Sequence, residues 1–131
     1  MNPKNDLVKE WLKKSQHDLE TAKVILAHKP ELTDTICFHC QQAVEKTLKG
    51  YLVYLNIPFK KTHSLAYLLD LINDKEKIPE NIYEQSELLE NYAIEIRYPD
   101  DWYEPSIEDV KEAFNNAESI IAFFKDKING Y

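Results

Sequence analysis

Glycine is scarce in this sequence, occurring only at Gly50 and Gly130. Phosphate loops of the Walker type and dinucleotide-binding fingerprints need two or three glycines within one turn, so both are excluded. Cysteine is equally rare, and two residues cannot form a disulfide framework. No apolar run approaches the roughly 20 residues that span a bilayer, and the polar N-terminus lacks a signal-peptide core. A cytoplasmic protein without a membrane partner is the expectation. Arginine is the scarcest charged residue: the sixteen basic residues are fifteen lysines and Arg97. With a net charge of −7, a broadly basic nucleic-acid-binding surface is excluded as well.

What is present is helical periodicity, punctuated by six prolines at segment ends. Over residues 6–28, Val8, Leu12, Ser15, Leu19, Ala22 and Leu26 recur at steps of three and four. A second segment is expected to start after Thr33 as N-cap and to reach residue 56. Its apolar stripe is Cys37, Cys40, Val44, Leu48, Tyr51 and Leu55. A shorter segment covers 64–73 and a fourth covers 79–96. The last opens on the capping box Ser106-Ile-Glu-Asp109 and carries Ile107, Val110, Phe114, Ala117, Ile121, Phe124 and Ile128. No stretch alternates with period two long enough for a strand. The 131 residues therefore predict one all-α domain, an antiparallel up-and-down bundle of four long helices and one short helix.

Three features bear on chemistry. Cys37-Phe-His-Cys40 has the spacing of a zinc or redox pair, but it lies on a core stripe with no second pair, so structural cysteines and no metal or cofactor are expected. Beside that stripe run His39, Gln42, Lys46 and Lys49, and residues 46–63 hold four lysines and no acid. This face is either simply solvated or a site for phosphate. From residue 78 to 110 the sign reverses, with ten acids against Arg97. The segment Arg97-Tyr-Pro-Asp-Asp-Trp-Tyr-Glu-Pro105 combines a guanidinium, suited to carboxylate or phosphate, with aromatic rings that stack on bases or partners.

Taken in order, Phe38-His-Cys-Gln-Gln-Ala-Val-Glu-Lys-Thr-Leu-Lys49, Thr62-His-Ser-Leu65 and Arg97-Tyr-Pro-Asp100 resemble the HEPN domain (higher eukaryotes and prokaryotes nucleotide-binding). The resemblance implies a helical bundle that pairs as a homodimer and often works with a minimal nucleotidyltransferase in a toxin–antitoxin-like system. It also implies nucleotide or RNA phosphate as ligand, with Arg97, Tyr98, Asp100, His39, Gln42 and Lys46 as candidate binding residues. Many members are metal-independent ribonucleases in which a histidine follows the arginine after four to six residues. Here those positions hold Trp102, Tyr103 and Glu104. Arg97 would be catalytic only in a ribonuclease whose acid–base had moved, for instance to His39 or His63. Three readings follow: a phosphate-binding component with little ribonuclease activity, an active ribonuclease toxin, and a ligand-free interaction module. Tyr51, Tyr54, Trp102 and Tyr103 are the candidate dimer contacts.

Overall fold

A computed structural model describes residues 2–92 and 104–128, and every regular element among them is an α-helix. In order these are α1 (Pro3–His28), α2 (Thr33–Tyr54), α3 (Leu65–Asn73), α4 (Glu80–Tyr92) and α5 (Ile107–Lys127). The bundle of four longer helices and one short helix matches the periodicity. None of the described helices is long and apolar enough to cross a membrane.

The ends of the helices follow local chemistry. Helix α1 starts three residues earlier than expected, because Asn2 accepts from the Lys4 N–H at 3.0 Å and Pro3 occupies the first turn, where no N–H is needed. Thr33 is not the N-cap of α2. Leu32 holds that position without a side-chain cap, while the Thr33 hydroxyl is buried with no hydrogen-bond partner among the described residues. Helix α2 closes just short of residue 56, where Asn56 adopts φ 62°. Asparagine tolerates this left-handed conformation. It lets Ile57 N–H reach Leu52 O at 2.9 Å and Asn56 N–H reach Val53 O at 3.0 Å, a Schellman closure.

The start of α3 is capped twice. Ser64 Oγ accepts from the Tyr67 N–H at 3.1 Å, and Glu90 Oε1, from α4, accepts from the N–H groups of Leu65 at 2.5 Å and Ala66 at 3.3 Å. A carboxylate beside those N–H groups also suits the positive end of the helix dipole. The capping box of α5 forms in both directions, with Ser106 Oγ accepting from Asp109 N–H at 3.1 Å and Asp109 Oδ2 from Ser106 N–H at 3.0 Å.

Helix α2 packs against all four others. It therefore buries Ile36, Ala43 and Leu52 in addition to Cys37, Cys40, Val44, Leu48 and Tyr51 of its expected stripe, together with Gln41, Glu45, Thr47 and Lys49, while Leu55, just past its end, is half-buried. Buried polar groups on such a helix need partners. Ser15 Oγ on α1 donates to Ala43 O at 2.7 Å. Its one proton is then used, so Thr47 Oγ1, 2.7 Å away, must be the donor of the pair they share. At Gly50 the two helices approach closely: a Cβ there would lie 3.1 Å from the Trp11 Cβ.

Tyr51 is not a surface residue and so is no dimer contact. It is 2% exposed, its ring lies 5.2 Å from that of Phe124, and its hydroxyl donates to Glu76 Oε1 at 2.5 Å. Burial, and then that bond to an acid, raise its pKa far above the usual tyrosine value. Tyr54 stacks on it, half-buried. Trp102 and Tyr103 lie outside the described residues.

Candidate functional site

The polar side of α2 divides between two carboxylates. Asp18 of α1 is the first. Its Oδ1 lies 3.0 Å from His39 Nδ1, and its Oδ2 accepts from Lys46 Nζ. Gln42 lies between these two on the same stripe, half-buried. Two of the expected binding residues thus meet, on an acid that the sequence alone did not single out. Asp18 is 21 and 28 positions away from them, and only the pairing of α1 with α2 brings it there.

Glu45 is the second carboxylate and the more buried, with a side chain 3% exposed. Its Oε2 accepts from Lys49 Nζ at 3.0 Å, one turn along α2, and its Oε1 lies 3.0 Å from His63 Nδ1. A carboxylate only accepts, so the His63 proton sits on Nδ1 and its other ring nitrogen faces outward on a side chain that is 78% exposed. Gln41 Nε2 donates to His63 O at 3.0 Å and holds the same loop. Lys49 is covered further by Trp11, whose ring centre is 5.6 Å from the ammonium. His63 is therefore more than a residue preceding a helix cap: it closes the loop onto α2.

These pairings change the meaning of the lysine-rich stretch. Lys46 and Lys49 are balanced by Asp18 and Glu45. Lys60 and Lys61 are exposed and have no ion-pair partner among the described residues. Glu45 and Lys49 had a signal in the sequence, since i,i+4 acid–base pairs face one another on a helix. Asp18 had none.

Arg97, Tyr98 and Asp100 lie outside the described residues. The chain enters that segment from Tyr92, whose hydroxyl donates to Glu112 Oε1 of α5 at 2.7 Å. Glu104, beyond it, is exposed.

Cys37 and Cys40 are fully buried, and their thiols are pushed up to about 12, in each case chiefly by burial. Such thiols are poor ligands and poor nucleophiles at neutral pH, in agreement with a place in the core. A thiol reagent applied to the native protein at about pH 8 should label neither, while unfolding in denaturant should release both. Rapid labelling of the native protein would contradict this packing.

Residues 8–128 match the HEPN domain family, and the chain belongs to that family. It is 30% identical over 135 residues to "Putative toxin MJ1304" of Methanocaldococcus jannaschii, with 90% of this chain and 86% of that protein covered. Among solved structures it resembles TT1696 from Thermus thermophilus with a TM-score of 0.79 and 28% identity, covering 92% of this chain and 98% of the other. A HEPN domain protein from Thermotoga maritima (TM0613) gives a TM-score of 0.76 at 25% identity, covering 93% and 99%.

Proposed function

We propose that this HEPN protein is the phosphate-binding component of a toxin–antitoxin-like pair. It would bind a nucleotide or RNA as a homodimer, in partnership with a minimal nucleotidyltransferase. Family membership across residues 8–128 and the likeness to the Methanocaldococcus protein support this reading. Arg97 is the primary phosphate contact in it, flanked by Tyr98 and Asp100; on α2, Gln42 forms the second group with His39 and Lys46, which would exchange their pairing with Asp18 for the phosphate. A guanidinium suits this role because its planar fork bonds two phosphate oxygens at once.

The observation that limits catalysis is the absence of histidine at residues 102–104, which are Trp102, Tyr103 and Glu104. Losing a general acid–base costs about 10²–10⁴-fold in rate, so binding without strong cleavage is expected. Titration with ATP and with a short RNA should shift the NMR signals of Arg97, Tyr98 and the Lys46 face, and Arg97→Ala should remove the shifts. If neither ligand moves any of these signals, the reading fails.

One observation favours the ribonuclease alternative. Glu45 orients the His63 ring and leaves its outer nitrogen exposed, an arrangement that suits proton transfer. Metal-independent cleavage of RNA by the pure protein, abolished by both Arg97→Ala and His63→Ala, would establish that alternative over the first.

A further inference from the structure

Residues 59–64, between α2 and α3, are tied down by five contacts to three helices and within the loop itself. Phe59 packs edge-on against Trp11 of α1, with ring centres 6.5 Å apart. The Lys60 N–H donates to Tyr67 Oη of α3 at 3.1 Å. Thr62 Oγ1 accepts from Ser64 N–H at 3.0 Å. Glu45 and Gln41 of α2 hold the ring and the carbonyl of His63, each at 3.0 Å. The backbone is thus fixed, while the basic side chains it carries are left in solvent.

The two acids that touch this loop and the start of α3 are engaged. Glu45 is buried beneath Lys49 and His63, and Glu90 accepts from the first N–H groups of α3. Because Glu90 occupies those N–H groups, an anion here would be held by side chains rather than by the helix terminus. Lys46 and Lys49 are committed to Asp18 and Glu45. In a protein of net charge −7, Lys60 and Lys61 are then the charges of the lysine-rich stretch with no ion-pair partner among the described residues, next to an exposed imidazole.

We infer that the loop carrying Lys60, Lys61 and His63 is a contact site for the phosphodiester backbone of single-stranded RNA. This rests on the phosphate-binding reading above and gives it a place: the ammonium groups neutralise successive phosphates, and the outer nitrogen of His63 contacts a phosphate or ribose oxygen. A loop ordered before binding spends little conformational entropy on the contact, which favours a small number of charges acting together.

The test is fluorescence anisotropy of a labelled uridine dodecamer at several salt concentrations. Its variants are the full chain with Lys60→Glu and Lys61→Glu together, and a control of equal charge change, Lys13→Glu with Lys125→Glu, on exposed positions of α1 and α5. Both pairs are on the surface, and circular dichroism checks that the helices are retained. The expected result is a loss of about tenfold or more in affinity for the loop variant at low salt. Its plot of log affinity against log salt should be flatter by about 1.4, two contacts at about 0.7 each, with the control close to wild type. Equal losses in both variants would mean only a general field and would overturn the inference. If the loop variant binds like wild type while Arg97→Ala does not bind, the loop assignment falls and the phosphate-binding reading stands. No binding by the wild-type protein would overturn both.

Discussion

Replacing Glu45 by alanine should destabilise the protein by about 3–5 kcal/mol, the usual cost of removing one partner from a buried ion pair. The carboxylate is 3% exposed and balances Lys49, which is itself 10% exposed. With the acid gone, the ammonium is left beneath Trp11 with its counter-charge removed, and the long stem has no easy route to water. His63 loses less, since its ring is already mostly in solvent. Urea denaturation should show the loss as a lower midpoint at an unchanged slope. The double change Glu45→Leu with Lys49→Met should recover much of it, because matched apolar groups avoid the desolvation penalty that a lone charge incurs. A single variant as stable as wild type would show that Glu45 does not hold Lys49 in solution.

The second large effect is expected at Gly50. Alanine there gains about 1 kcal/mol of helix propensity. However, its Cβ meets the Trp11 Cβ at 3.1 Å, so whether alanine helps depends on how far α1 can yield. Isoleucine removes that ambiguity. Two further branches at Cβ enter the same contact, Leu12 stands at 3.7 Å from the Cβ position, and the Val8 carbonyl is equally close. Forcing extra methylenes into a packed contact costs about 1–3 kcal/mol, and Gly50→Ile should lower the melting temperature accordingly. Trp11 fluorescence should change with it, since the ring that covers Lys49 and meets Phe59 must move. A variant with unchanged melting temperature and fluorescence would mean that α1 and α2 do not approach this closely in solution.

The helices were legible in the sequence because each carries an apolar stripe at the helical period, and the stripe of α5 and its capping box fall where expected. Helix α2 was legible only in part. A central helix is covered on most sides, so residues off the stripe, such as Ile36 and Leu52, are as buried as those on it. Periodicity reports one contact face and understates a helix with several. Thr33 shows another limit: its type suits an N-cap, but the tight turn from Lys29 brings the helix start to Leu32, with Ile36 N–H bonding Leu32 O at 3.0 Å.

The site was less legible than the fold. His39 and Lys46 were recognisable as polar residues beside a core stripe, but not as partners of Asp18, because that contact depends on the register between α1 and α2. The lysine-rich stretch read as one basic zone, since charge counted along the chain cannot show which ammonium groups are neutralised from another helix. The family motif did contain Glu45, Lys49 and His63, and the pairing of the first two follows from their spacing.

The double cap on α3 has a further consequence, for the order in which the structure opens. A helix of nine residues is too short to persist alone in water, and two of its first N–H groups are held by Glu90 from α4. Any opening of α4 at Glu90 withdraws that carboxylate and releases the start of α3 in the same event. The two segments, 24 and 25 positions apart at this contact, thus form one cooperative unit for local unfolding. Amide exchange in α3 is therefore set by the integrity of α4 as much as by its own hydrogen bonds.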